Sequence, residues 1–183
     1  IAQVFSREAR NVFDCQDVAI YLLSPDKKYI EMQSDTLPKG ISEKIEKLIG
    51  RSIPSISIPL KEDSYFNRIL ANEKGTITSD PVIIQQWIAE FSETTLLPPL
   101  IRPAIRKLVP QIYKLLSIGS TISMPLISSG RPIGILDLSS EGQFTEEDLR
   151  RIQIISRQMT AVILRKQAQD ALEESKNLLQ TII

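Results

Sequence analysis

The chain has 183 residues, of which 42% are hydrophobic and 24% are charged, as is typical of one soluble globular domain with a sizeable core. Lysine plus arginine and aspartate plus glutamate number 22 each, so no net charge attracts nucleic acid or an anionic membrane. Histidine is absent and Cys15 is the one cysteine, which removes the usual imidazole base, imidazole ligands and an internal disulfide. We therefore expect no catalytic residue, no metal site and no nucleic-acid partner.

The ends of the chain bear on its cellular context. No apolar run approaches the roughly 18 to 20 residues that span a bilayer, and the amphipathic start does not resemble a signal peptide. We therefore predict a cytoplasmic location without membrane insertion. Because the chain begins on Ile1 and ends within an apolar helical pattern, we also expect a piece of a longer protein.

The first third of the chain alternates between helical and strand patterns. Apolar spacing and β-rich composition predict helix, strand, strand, helix and strand over residues 2–13, 17–23, 29–33, 41–49 and 53–60. A Ser-Pro-Asp-Lys turn joins the first two strands. Gly50 provides the C-cap that closes the second helix.

The middle of the chain is predicted to be mostly helical. A helix is expected over residues 64–72 and a short strand over 75–79. Asp80 followed by Pro81 is typical of a helix start, because Asp caps the first turn and Pro fits the first helical position. Four prolines interrupt the chain that follows, so we predict two or three helices over residues 82–116.

A hairpin and a long helix are predicted at the C-terminal end. Segments 121–127 and 132–139 are β-rich, and the glycine between them allows the positive φ that tight hairpin loops need. Thr145 before an acidic turn, with Asp148 three residues on, is typical of a helix N-cap. From Thr145 the helical pattern could extend for roughly 55 Å, beyond the core of one domain.

Two apolar patterns follow one another along this helix. The first fits a face packed on the sheet and consists of Leu149, Ile152, Ile155, Met159 and Val162. The second fits a coiled-coil seam and consists of Ala168, Leu172, Ser175, Leu179 and Ile182. We therefore predict a folded domain over residues 1–164 and a connector helix over 165–183, paired with a second copy. A solvated terminal helix without a signalling role is the alternative.

One run of spaced residues resembles a known family. It consists of Met124-Pro125-Leu126, Gly130, Ile133-Gly134-Ile135-Leu136, Phe144-Thr145 and Asp148, and it is similar to the C-terminal half of a GAF domain. The resemblance implies an α/β (α+β) fold, with a central antiparallel sheet of five or six strands, helices on both faces and a long C-terminal helix. It also implies that the helices of residues 81–118 cover a ligand cavity. The Asn-Lys-Phe-Asp-Glu motif of cyclic-nucleotide-binding GAF domains is missing.

Asp137 is a candidate ligand residue because it lies within an apolar strand, where a carboxylate is costly unless it meets donors or water. With a two-residue hairpin loop it would lie opposite Ile122. With a three-residue loop it would lie opposite Ser123, with Thr121 and Ser139 on the same face. The second register predicts a polar ligand site, and an edge strand with Asp137 in water is the alternative.

Further side chains have more than one interpretation each. Trp87 and Phe91, at helical spacing, could stack on a planar ligand or pack in the core. Arg102 and Arg106, four residues apart, could hold one phosphate or carboxylate or form a solvated basic face. Cys15 could be a haem ligand, a redox switch or a chromophore attachment point, but we favour a small buried side chain between helix and strand.

These observations predict a regulatory sensor domain rather than an enzyme. We expect an unidentified small molecule, no identifiable cofactor, and a C-terminal helix that relays the signal to an output module in the same chain. Residues 165–183 resemble the connector between GAF and PAS domains, so a histidine kinase of a two-component system is the expected output. The rival is a ligand-free module for dimerisation and spacing, its cavity filled by Trp87, Phe91 and Met124. An enzyme, limited to carboxylate and lysine bases, and redox or haem sensing through Cys15 rank below these.

Overall fold

The computed structural model describes residues 1–182, except for the side chains of Leu179, Thr181 and Ile182. Within this part of the chain, a six-stranded sheet is combined with seven α-helices. In chain order the elements are α1 (Ala2–Phe13), β1 (Asp17–Leu23), β2 (Tyr29–Ser34), α2 (Lys39–Ile49), β3 (Ser57–Pro59), α3 (Tyr65–Leu70), β4 (Thr76–Thr78), α4 (Pro81–Glu90), α5 (Arg102–Lys107), α6 (Val109–Leu116), β5 (Ser120–Ser128), β6 (Arg131–Ser140) and α7 (Glu146–Ile182).

The sheet has the strand order β3-β2-β1-β6-β5-β4, and every neighbouring pair is antiparallel. One face is covered by α1 and α7, and the other is covered by α2, α3, α4 and α6. Side chains alternate between the two faces along each strand, so each face has its own apolar core. The predicted α/β (α+β) fold, with helices on both faces and a long C-terminal helix, is confirmed.

Side-chain caps fix the starts of two helices as the sequence predicts. The Asp80 carboxylate accepts the backbone N–H of Val82 at 2.8 Å at the start of α4. At the start of α7, the Thr145 hydroxyl accepts the N–H of Asp148 at 3.2 Å, and the Asp148 carboxylate accepts the N–H of Thr145 at 2.8 Å. This reciprocal pair satisfies two backbone donors that would otherwise be unpaired.

The third strand is shorter than predicted. The ladder is formed only at Ser57–Pro59, whereas the pattern predicts residues 53–60. Pro54 and Pro59 lack the N–H that a continuous ladder needs. The proline-interrupted block over 82–116 forms α4, α5 and α6, with short 3₁₀ helices at Phe91–Glu93 and Pro99–Ile101.

The hairpin between β5 and β6 has a two-residue loop, but its strands pair around Asp137 as the sequence predicts for a three-residue loop. Its loop has two residues, Ser129 and Gly130, both with positive φ. A bulge then adds Ile133 to β6, because the pairing shifts by one residue beyond Leu126. Asp137 therefore lies opposite Ser123, the register predicted for a longer loop.

Gly134 lets β1 and β6 approach each other next to this bulge. A β carbon at Gly134 would collide with the backbone carbonyl oxygen of Tyr21 on the adjacent strand. A glycine is therefore required where the bulged strand meets β1.

The long helix α7 packs on the sheet along its first half only. Its buried residues include Ile152, Met159 and Ile163. The prediction of Val162 at this face is wrong, because Val162 is 37% exposed and Ile163 is 6% exposed. A step of four residues from Met159 keeps the side chain over the sheet. Beyond residue 164 the described side chains of α7 are exposed. No helix within residues 1–182 combines the length and apolarity that a membrane span requires.

Candidate functional site

A cavity of about 600 Å³ lies between the sheet and the helices on its second face. The helices of residues 81–118 form one side of it, and α2 with residues 53–56 forms the other. Apolar side chains from three helices make most of the wall: Ile45, Ile49, Ile88, Ile112 and Leu116. The volume falls within the range of about 300–1,000 Å³ that is usual for small-molecule sites.

The sheet surface below these helices carries a buried strip of polar side chains. It consists of Thr121, Ser123, Asp137 and Ser139, on the two paired strands β5 and β6. Asp137 is only 3% exposed, since β6 lies between β1 and β5. The alternative of an edge position in water is therefore wrong, and the predicted grouping of these four residues on one face is confirmed.

Asp137 is held by a tryptophan from the covering helices. The indole Nε1 of Trp87 donates to Asp137 Oδ2 at 3.0 Å, and both side chains are buried. Asp137 Oδ1 has no hydrogen-bond partner among the described residues. Beside it, the hydroxyls of Ser123 and Tyr65 share a hydrogen bond of 2.9 Å. The strip is thus joined to α3 and α4 by buried polar contacts.

Burial controls the charge of this carboxylate. It raises the pKa of Asp137 to about 7, while the nearby Ser123 hydroxyl and the Trp87 indole oppose the rise. The pKa of Tyr65 is also raised, first by burial and then by the negative charge of Asp137. A group that changes charge near neutral pH inside a covered sheet is unusual and is a candidate functional residue.

Tyr21, which the sequence analysis did not single out, contributes the other unpaired polar atom near the site. Its side chain is fully buried and lines the cavity, and its hydroxyl has no hydrogen-bond partner within residues 1–182. Burial and the charge of Asp137 raise its pKa. An unpaired buried hydroxyl is costly, and a ligand could bond it only if the surrounding side chains moved. Tyr21 lies two residues beyond Ala19, which pairs with Asp137, so it shares the cavity face of the sheet, and no pattern in the sequence reveals that pairing.

Trp87 and Phe91 both line the cavity and contact each other edge to face, with ring centroids 5.4 Å apart. They also pack against the buried residues of this core. The two interpretations offered by the sequence are therefore compatible. Met124, by contrast, lies in the core on the opposite face of the sheet.

Arg102 and Arg106 lie outside the cavity lining, although Ile105 between them contributes to it. Arg102 Nε donates to the backbone carbonyl of Leu97 at 3.1 Å. Arg106 pairs with the carboxylate of Glu93 at 3.4 Å. The structure does not bring these two guanidinium groups to Asp137.

Cys15 is buried in the core between α1 and the sheet, on the face opposite to the cavity. Burial raises the pKa of its thiol to about 12, and the Asp17 charge adds to this effect. The neutral thiol is thus strongly favoured, as expected for the small buried side chain that we favoured. The described residues contain no group of three His, Cys, Asp or Glu side chains that could hold a metal ion.

The connector seam is exposed where it is described. Ala168, Leu172 and Ser175 face solvent, and Leu172 is 57% exposed. The side chains of Leu179 and Ile182 lie outside the described residues. A row at intervals of seven extends the seam back along α7 and consists of Ile154, Ala161, Ala168 and Ser175. This row lies opposite to the side of the helix that is buried on the sheet.

These features define an α+β domain with a covered cavity on one face of its sheet and terminal helices on the other. The sequence model of the family described as the GAF domain matches residues 1–163. The chain therefore belongs to the GAF domain family and is a GAF sensory domain.

Solved structures show the same fold at low sequence identity. A domain of a putative two-component sensor histidine kinase from Sinorhizobium meliloti 1021 is 12% identical, with a TM-score of 0.54 over 93% of each chain. The GAF domain of an Acinetobacter phosphoenolpyruvate-protein phosphotransferase is 12% identical, with a TM-score of 0.59 over 91% of this chain and 82% of that one. The GAF-B domain of DevS from Mycobacterium smegmatis is 10% identical, with a TM-score of 0.58 over 93% and 96%. None of the curated proteins compared with the chain matches it.

Proposed function

We propose that this GAF domain binds a small molecule in its cavity and relays occupancy through α7 to an output module in the same polypeptide. The observation that carries the proposal is the cavity of about 600 Å³ between the sheet and the covering helices, with Tyr21, Trp87 and Phe91 in its lining. Trp87 and Phe91 would contact the ligand, and the strip formed by Thr121, Ser123 and Asp137 would respond to it. No catalytic step is assigned to this chain. Arg102 and Arg106 lie outside the cavity lining, so no ligand contact is proposed for them.

The relay runs from the strip to α7 through residues 141–145. β6 carries Asp137 and leads into this linker, and the linker is bonded to the start of β5. The hydroxyl of Ser120 donates to the carbonyl of Gly142 at 2.8 Å and accepts the N–H of Phe144 at 2.8 Å. Displacement of these two strands would therefore displace the start of α7. A ligand can drive that change only by its difference in affinity for the two helix positions.

The signalling unit is proposed to be a homodimer formed through the terminal helices. The exposed row on α7 that includes Ile154 and Ala168 has the heptad spacing of a coiled-coil seam. Ile163 is the last buried residue among the described side chains of α7, which supports a division into a sensory domain over residues 1–164 and a connector over 165–183. A histidine kinase output, a following PAS domain and a cytoplasmic location stay predictions.

Native mass spectrometry tests ligand binding directly. The domain is incubated with a soluble metabolite extract, and its intact mass is compared before and after denaturation. We expect a bound molecule of one defined mass on the wild type and none on Ile112→Trp, which fills the cavity from α6. Gln111→Trp, at the exposed neighbouring position, is the matched control and should keep the bound molecule. A ligand at a hundredfold excess over its Kd should also stabilise the fold by about 2.7 kcal/mol.

The competing function is a ligand-free module for dimerisation and spacing. Its supporting observation is the exposed seam on α7, which needs no ligand to pair. A wild-type domain that carries no molecule after this incubation, or the same molecule bound equally to Ile112→Trp, would favour this alternative over a sensor.

A further inference from the structure

We infer that the ligand of this cavity is an amphipathic molecule without a negative charge, either neutral or cationic. This inference depends on the proposed function, since it names the chemical class that the same cavity would accept. It excludes phosphates, nucleotides and organic acids as the ligands for which the site is built.

The side chains that line the cavity are acidic or uncharged. The described lining residues include Asp17, Asp35 and Glu46 but no lysine or arginine, although basic and acidic residues are equally numerous in the chain. The carboxylate of Asp137 lies in the sheet below. An anion that entered would be partly desolvated and would meet acidic side chains with no basic side chain in the described lining, which is unfavourable.

Four basic side chains outside the cavity lining already have partners. Arg10 donates to the carbonyl oxygens of Cys15 at 3.4 Å and Thr36 at 3.3 Å. Arg102 donates to the carbonyl of Leu97, as described above. Lys61 and Arg106 both pair with Glu93, at 2.8 and 3.4 Å. These contacts occupy N–H donors that an anion in the cavity would otherwise need.

Polar and apolar groups lie on different sides of the cavity. The helices α2, α4 and α6 contribute mainly apolar side chains to the wall, whereas Tyr21 and Ser139 lie on the sheet side. An apolar body would pack on the apolar wall, and one polar group would face Ser139. The rings of Trp87 and Phe91 would accommodate an aromatic body or attract a cation.

Two fluorescent probes that share one aromatic framework test the inference. N-phenyl-1-naphthylamine is neutral, and 8-anilino-1-naphthalenesulfonate is the same framework with an added sulfonate. We expect the neutral probe to bind the wild-type domain about tenfold or more tightly than the sulfonate. Because Trp87 is the one tryptophan and lines the cavity, bound neutral probe should also quench its emission.

Cavity-filling variants locate the binding. Ile112→Trp should weaken binding of the neutral probe by about tenfold or more, and Gln111→Trp should leave it unchanged. If Ile112→Trp does not fold, Ile45→Trp fills the cavity from the opposite wall. Equal or tighter sulfonate binding that Ile112→Trp removes would overturn the charge inference and leave the sensor proposal intact. If neither probe binds in the cavity, both the charge inference and the sensor proposal are overturned.

Discussion

Replacing Asp137 with asparagine is expected to remove several kcal/mol of pH dependence from the stability of this domain. The ordinary pKa of the aspartate is 3.8, and burial raises the pKa of Asp137 to about 7 in the folded state. Between these values the folded state binds more protons than the unfolded state, so the free energy of unfolding falls as pH rises. The loss begins near the lower pKa and is complete above the higher one. A difference of about three pKa units corresponds to about 4 kcal/mol.

Asparagine removes the charge and retains an oxygen that accepts the Trp87 indole N–H. The variant should therefore gain stability relative to the wild type as pH rises from about 5 to about 8. Asp17, whose pKa burial also raises, titrates in both proteins; because its charge raises the pKa of Asp137, the comparison measures Asp137 together with this interaction.

Urea unfolding followed by circular dichroism, at several pH values between these limits, measures the effect. Asp63→Asn, at an exposed position before α3, is the matched control and should leave the pH dependence unchanged. A constant difference between Asp137→Asn and wild type across this range would show that Asp137 does not titrate there, contrary to our account.

Placing a charge in the exposed seam of α7 is expected to dissociate the proposed dimer. Ile154 and Leu172 are 60% and 57% exposed in the single chain, so pairing would bury apolar area at both positions. Burying one such side chain contributes about 1.5–3 kcal/mol, and each substitution occurs twice in a symmetric dimer. Ile154→Asp or Leu172→Asp should therefore raise the dimer dissociation constant by about 100-fold or more.

Analytical ultracentrifugation across a concentration series measures this constant. Gln167→Asp introduces the same side chain at an exposed position away from the seam, and it should pair like the wild type. Because both seam positions are exposed, the monomer fold should be retained, as thermal unfolding would verify. A dimer of unchanged affinity in both seam variants would exclude this surface as the interface.

The sequence predicted the fold well where local signals agreed. The caps at Asp80 and Thr145, and the glycine in the β5–β6 loop, set element boundaries that the structure confirms. The polar strip around Asp137 was predicted only as one of two registers. The deciding feature is the bulge at Ile133, which has no sequence signal apart from Gly134 beside it.

The site itself was less predictable because its composition depends on contacts between distant elements. The bond between Trp87 and Asp137 joins residues 50 positions apart, and helical spacing alone could not reveal it. Tyr21 has the pattern of an ordinary strand residue, and its burial depends on contacts with Phe66 and Phe91, which are distant in the sequence. The spacing of Arg102 and Arg106 correctly predicts that they lie on one helix. Outside the cavity, however, Arg102 donates to the Leu97 carbonyl and Arg106 pairs with Glu93.

Hydrogen–deuterium exchange with and without N-phenyl-1-naphthylamine tests most directly whether cavity occupancy reaches α7. With the probe bound, we predict slower exchange in α2, α4 and α6, together with changed exchange across residues 137–149. Neither effect should occur in Ile112→Trp. Changes confined to the cavity walls, or the same changes in Ile112→Trp, would contradict the relay.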